Sequence, residues 1–120
     1  MAKQQQVGNA GEEIATALLV KKGFKVLHRN WRFKHKEIDI VALHEDYLVI
    51  VEVKSRTEDT YEEPWQAVTN RKIRFLADAT EAYIEKYSID NEVRFDVVSI
   101  VFKAGKPEIE HFVDAFRPWM

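Results

Sequence analysis

Asp39, Glu52 and Lys54 are the residues of this chain whose types and spacing could do chemistry together. Glu37–Leu43 and Tyr47–Lys54 read as two strands, and strand residues two apart project to the same face. Glu37 and Asp39 therefore share a face of the first strand, and Glu52 and Lys54 share a face of the second. The short His44-Glu45-Asp46 connection predicts an antiparallel hairpin. An even loop, such as 44–47, puts Asp39 directly opposite Glu52, with Cβ atoms about 5 Å apart. An odd loop shifts the pairing by one and separates them. The turn residues leave both registers open, because Glu-Asp is a poor type I′ pair.

Two carboxylates held that close repel unless protonated or neutralised by a cation. Oxygen ligands in a chain without cysteine favour Mg²⁺ or Mn²⁺, which use one or two carboxylates plus waters and substrate phosphates. Such an ion polarises a phosphodiester and acidifies a bound water. Lys54 could orient or deprotonate that water, or offset charge developing on phosphorus. The plainer reading makes Glu52 and Lys54 ordinary charges on a solvent-facing strand. Against it, both share their face with Leu48 and Ile50 near the middle of a sheet.

Lys72 is a second anomaly. A helix predicted from Pro64 to about Tyr87 has an inward stripe of Trp65, Val68, Lys72, Leu76, Ala79 and Tyr83, which the lysine interrupts. Its stem could snorkel out to solvent, or its ammonium could stand near the carboxylates and face a phosphate. The four histidines show no metal-ligand spacing and read as surface residues, and Asp96, in an apolar strand, reads as a buried hydrogen-bonded anchor. Gly8 and Gly11 match no phosphate-binding loop.

Charge is distributed by segment. Residues 14–36 contain no acid and seven basic residues, among them Arg29, Arg32, Lys34 and Lys36. From Glu37 to Glu63 nine acids face only Lys54 and Arg56. A basic stretch carrying Trp31 and Phe33 suits a phosphate backbone with bases to stack on, or else forms a solvated loop. The net charge of −2 excludes a uniformly basic coat.

Around these residues the elements read as α, β, β, β, α, β, β. A helix spans 10–21 with Ala10, Ile14, Ala17, Leu18 and Lys21 on its inner stripe, ended by Gly23. Lys25–Asn30 is a short strand, Leu48-Val49-Ile50-Val51 reads as a central strand covered on both faces, and Val93–Phe102 is strongly apolar. Glu108–Val113 is an edge strand. The order predicts an α/β fold with a mixed central sheet flanked by helices. With 120 residues, 46% hydrophobic, 4 Gly and 3 Pro, the expectation is one domain over residues 1–120 with no internal linker. No apolar run reaches bilayer-spanning length, and the polar Met1–Gln6 segment has no signal-type core, so a cytoplasmic protein with no membrane partner is expected. The apolar tail Phe112, Phe116 and Trp119 would suit a homodimer interface.

Glu37-Ile38-Asp39 followed by Val51-Glu52-Val53-Lys54-Ser55-Arg56 resembles the Asp…Glu-x-Lys signature of the PD-(D/E)-x-K nuclease superfamily. More closely, the chain resembles a family of small, largely uncharacterised bacterial proteins predicted to be endonucleases distantly similar to archaeal Holliday-junction resolvases. The matching blocks are Gly8-x-x-Gly11-Glu12-x-x-Ala15, Gly23-Phe24, Arg29-Asn30-Trp31-Arg32, Glu37-Ile38-Asp39, Val51-Glu52-Val53-Lys54-x-Arg56, Ala67-Val68-x-x-x-Lys72 and Arg94-Phe95-Asp96-Val97-Val98. The chain departs from the family pattern at Lys36 and over Tyr61-Glu62-Glu63, where glycine is usual.

The resemblance implies a restriction-endonuclease-like αβββαβ core. It makes Asp39 and Glu52 metal ligands, with Glu12 from the first helix joining them, and Lys54 the catalytic lysine. Glu37 and Arg56 would flank the site, and Lys72 matches a helix lysine of the pattern. The expected activity is Mg²⁺- or Mn²⁺-dependent endonuclease cleavage of nucleic acid, with DNA favoured and branched or damaged structures as candidate substrates. Phosphate contacts would come from Arg29, Arg32, Lys34, Lys36, Arg56 and Lys72. The alternative is a non-catalytic nucleic-acid-binding module retaining the fold, and beyond that a protein-interaction domain.

Overall fold

Apolar residues spaced for both periods, 3.6 and 2, build two helices and five strands in the computed structural model, which describes residues 3–58 and 68–119. The order is α1 (Lys3–Lys21), β1 (Lys25–Phe33), β2 (Lys36–His44), β3 (Tyr47–Thr57), α2 (Asn70–Tyr87), β4 (Glu92–Phe102) and β5 (Glu108–Phe116). The strands form one sheet in the order β1-β2-β3-β4-β5. Pairing is antiparallel except between β3 and β4, which run parallel and are joined through α2. This is the predicted mixed α/β architecture, compatible with an αβββαβ restriction-endonuclease-like core. Neither helix is long and apolar enough to cross a membrane.

The central position of β3 explains its composition. Leu48, Val49, Ile50 and Val51 are all buried, because each face of the strand meets a different core. Val49 and Val51 join Ala15 and Leu19 of α1, while Leu48 and Ile50 join Leu76, Ala79 and Tyr83 of α2. Burying the side chains of these four residues contributes roughly 1.5–3 kcal/mol each before entropy is counted.

Several boundaries differ from expectation. Helix α1 begins at Lys3 rather than at 10, and its buried stripe is Gly11, Ala15 and Leu19, one position from the one predicted; Ala10, Ala17 and Lys21 are exposed. The shift follows from Gly11. A Cβ there would overlap Ser55 Oγ and come within 2.8 Å of Ser55 Cβ, so the helix approaches β3 along its smallest residue. Helix α2 starts at Asn70, with Val68 and Thr69 outside it. Thr69 is extended at φ −78, ψ 164, and its hydroxyl accepts the Lys72 amide at 3.1 Å, satisfying one of the helix's free N–H groups. Pro64, Trp65, Ala67 and the Tyr61-Glu62-Glu63 stretch lie outside the described residues.

The hairpin turn resolves the open register. His44 pairs with Tyr47 across the two-residue Glu45-Asp46 turn, and Glu45 takes the left-handed φ of 54. The pairing runs on through Ile40–Val51, so one further step brings Asp39 to Glu52. This is the even-loop register.

Candidate active site

Asp39 sits where the sheet loses its regularity. Ile40 and Ala42 pack on the α1 side and Val41 on the α2 side, as alternation requires, yet Ile38 also packs on the α2 side. The inside-outside pattern therefore breaks across Asp39. Its neighbour on β1 is irregular too: Trp31 pairs with Ile38 and Arg29 with Ile40, and Asn30 between them adopts φ 53. Asparagine tolerates that left-handed conformation better than most residues. On the other side, β2–β3 pairing stops at Ile40–Val51, and the amide of Val53 donates instead to Asp39 Oδ2 at 2.8 Å. The Asp39 side chain thus takes a backbone donor where the strand pairing has ended, and a cleft lies beside it.

That cleft has a volume of about 300 Å³ and is lined by Gly8 and Glu12 of α1, Asp39 of β2, Glu52, Val53, Lys54 and Ser55 of β3, and Lys72 of α2. Glu12, Asp39 and Glu52, with Lys54 and Lys72, meet there, while Glu37 does not line it. Glu52 is 6% exposed, which rules out the solvent-facing strand. Its Oε2 receives Lys72 Nζ at 2.7 Å, so the lysine on the apolar stripe turns toward the carboxylates rather than out to solvent.

Burial and the adjacent Glu52 push the Asp39 carboxyl up to about 8, against the pull of the Val53 amide and of Lys72. The Asp39 and Glu52 carboxyl groups lie within side-chain hydrogen-bonding reach, which suits one shared proton. Glu12 is raised as well, by burial and then by Asp39, while Arg29 and a hydrogen bond from Asn30 work against the rise. Burial works to lower the Lys72 ammonium, but Glu52 more than offsets it and leaves the group above its ordinary value.

Glu12 Oε1 and Glu52 Oε1 are buried and meet no N–H or hydroxyl donor among the described residues. Oxygen atoms in that condition suit a hard cation, and two adjoining carboxylates fit the sparse protein ligation of Mg²⁺ or Mn²⁺. Among the described residues, no group of three or more His, Asp or Glu side chains forms a ready-made cage for an ion. Glu12 lines the wall of the cleft and accepts a hydrogen bond from Asn30.

The basic stretch occupies β1 and the turn into β2. Arg29 Nη1 bonds Glu13 Oε1 at 2.9 Å, and Arg32 lies 4.0 Å from Glu37, which is half exposed at the edge of the site. Lys34 takes the left-handed φ of 58 in the Lys34-His35 turn, and Lys34 and Lys36 reach over the rings of Phe33 and Phe75. Arg56, two residues beyond Lys54 on β3, keeps Nη1 buried without a hydrogen-bond partner among the described residues. Trp31 and Phe33 are half-buried rather than free for stacking: Trp31 meets Tyr83 edge-on at 5.1 Å and Phe33 lies 6.1 Å from Phe75. Of the tail, Phe116 and Trp119 pack on Phe95 of the same chain.

Asp96 is the expected anchor. It is fully buried and accepts from Arg94 Nε and Nη2, from His111 Nε2 at 2.8 Å and from the Asp114 amide at 3.0 Å. Those bonds hold its carboxyl below the ordinary range despite burial. The surface assignment of the histidines fails for three of them. His111 bridges Asp96 and Lys22, His28 bonds the Tyr83 hydroxyl at 2.7 Å, and His44 stacks on Phe24 at 4.0 Å. None of these contacts has a spacing signature in the sequence. Asn30 and Gly11 were also without an assigned role, and a left-handed backbone and a close helix–strand approach explain them.

A sequence model described as "Uncharacterised protein family UPF0102" matches residues 11–100 of the chain. A UPF0102 protein of Parabacteroides distasonis is 47% identical over 116 residues, covering 97% of this chain and 96% of the relative. One from Phocaeicola vulgatus is 42% identical over 118 residues, covering 98% of each chain. Another, from Flavobacterium psychrophilum, is 40% identical over 116 residues, with 97% and 98% covered.

Proposed function

Because this chain belongs to the uncharacterised protein family UPF0102, whose name assigns no activity, we propose its function from the cleft: metal-dependent hydrolysis of phosphodiester bonds in nucleic acid, with DNA the favoured substrate. The observation that carries this reading is the meeting of Asp39 and Glu52, the Asp39 carboxyl pushed up to about 8 by burial and then by Glu52, in a cleft shared with Lys54 and Lys72. Carboxylates placed so expensively have a purpose other than stability. Asp39 and Glu52 would hold Mg²⁺ or Mn²⁺, with Glu12 beside them. Such an ion, when bound, supplies Lewis acidity and a more acidic water.

The remaining work belongs to the chain itself. The Val53 amide fixes Asp39 Oδ2, so the first carboxylate is oriented before any ligand arrives. Lys54 places a cation in the same cleft, positioned to orient the attacking water or to offset charge gathering on the phosphoryl oxygens. Arg29, Arg32, Lys34, Lys36 and Arg56 would bind the flanking backbone phosphates.

The Lys72–Glu52 ion pair favours a second reading, a nucleic-acid-binding module whose carboxylates are already neutralised from within. The test is to incubate the purified protein with duplex, branched and single-stranded DNA and with RNA, in Mg²⁺, Mn²⁺ or EDTA. The nuclease reading expects metal-dependent cleavage of at least one DNA. Binding without cleavage on every substrate gives the module instead.

A further inference from the structure

We propose that Lys72 is a built-in counter-cation of the Asp39–Glu52 pair, which an incoming divalent ion displaces and thereby releases toward a phosphate in the cleft. The proposal rests on the metal-dependent reading above and adds to it a coupling between metal loading and substrate capture.

The placement of Lys72 is otherwise unfavourable. It lies in the first turn of α2, two residues after Asn70, where the helix dipole disfavours a cation and the turn itself holds no acidic residue. It also interrupts the stripe that buries Leu76, Ala79 and Tyr83. Its backbone is fixed by the Thr69 cap, so only the side chain can move. That side chain is a third exposed, while the Glu52 side chain it meets at 2.7 Å is 7% exposed. One end of the contact is locked in the sheet and the other is a flexible, partly exposed four-carbon stem.

The ammonium therefore stands on Glu52 Oε2, with Glu52 Oε1 left without a donor among the described residues. A divalent ion held by Asp39 and Glu52 removes the negative charge that attracts Lys72 and adds repulsion at a few ångströms. The stem then swings into the cleft, which it already lines together with Lys54. A phosphate entering beside the ion gains a second ammonium that the metal-free protein keeps occupied.

The test compares wild type with Lys72→Met by calorimetric Mn²⁺ titration. In parallel, the rate at which a water-soluble acylating reagent modifies Lys72 in the folded wild type is read by peptide mass spectrometry, with and without Mn²⁺. Removing the competing cation is expected to tighten Mn²⁺ binding roughly tenfold, and Mn²⁺ is expected to speed acylation of Lys72 several-fold by freeing it. The acylation arm needs no variant, so it stands even if Lys72→Met folds poorly. Equal Mn²⁺ affinity in the two proteins, or an acylation rate indifferent to Mn²⁺, overturns the displacement while leaving metal-dependent hydrolysis in place. If neither protein binds Mn²⁺, even with DNA present, the displacement and the metal-dependent reading fall together.

Discussion

The Asp39 carboxylate accepts the Val53 amide at 2.8 Å at the place where β2 and β3 cease to pair. The same carboxyl lies within hydrogen-bonding reach of Glu52 and lines the cleft beside it. Fold and site are joined at this contact.

The first consequence concerns pH. Asp39 titrates near 8 in the folded protein and near 3.8 in an ordinary setting, so the native state holds a proton that the unfolded chain releases between these values. The native state binds more protons there, so the stability of the metal-free protein should fall as pH rises from about 4 to about 8. Asp39→Asn keeps the acceptor for Val53 and removes the ionisation. Its melting temperature should vary less with pH over that window and exceed that of wild type at the alkaline end. Denaturation of both proteins in EDTA across the range checks this, and parallel curves would refute it.

Asp96 should behave in the opposite sense. Its carboxyl is held below 3.8, so its contribution is present above that value and is lost as pH falls through the folded-state value. Asp96→Ala leaves the nearly buried Arg94 guanidinium without its partner and should cost about 3–5 kcal/mol of unfolding free energy. Urea unfolding at neutral pH measures it, and a loss under 1 kcal/mol would contradict the anchor role.

Gly11→Ala should destabilise the protein by about 1–3 kcal/mol although alanine is the better helix former, because the new Cβ collides with Ser55. Since Ser55 lies next to Lys54, metal binding should weaken in the same variant. A thermal shift of zero would mean that α1 does not approach β3 so closely.

Much of this was legible in the sequence for specific reasons. The apolar run Leu48–Val51 announces a central strand and the spacing of Glu52 and Lys54 a shared face, because strand geometry has a strict period. The turn residues leave open whether Asp39 stands opposite them, until His44 is seen to pair with Tyr47. The break of alternation at Ile38 was not legible, since it depends on the Asp39 side chain replacing a backbone partner. The stripe of α1 was misplaced because Ala10 and Ala17 look as apolar as Ala15, and only the contact with Ser55 selects Gly11. The contacts of the partly buried histidines have no sequence signature, because a polar bridge such as Lys22–His111–Asp96 joins residues far apart in the chain.

The basic stretch should bind phosphates additively. Neutralising Arg29, Arg32, Lys34 or Lys36 singly should weaken DNA binding and reduce the slope of log affinity against log salt by about one unit each. Fluorescence anisotropy from low to physiological salt provides the measurement. If removing all four leaves affinity and slope unchanged, nucleic acid ceases to be the partner and a protein-interaction role takes its place.

The central claim is that this cleft hydrolyses phosphodiesters, and Lys54→Ala tests it most directly. Lys54 is assigned to the transition state, so the variant should retain DNA affinity within a few-fold while losing cleavage by about a hundredfold or more. Single-turnover cleavage and equilibrium binding on the same DNA substrate, in Mg²⁺ or Mn²⁺, give both quantities. Lost cleavage with preserved binding is the predicted result; wild-type and Lys54→Ala proteins that cleave at the same rate would contradict the account.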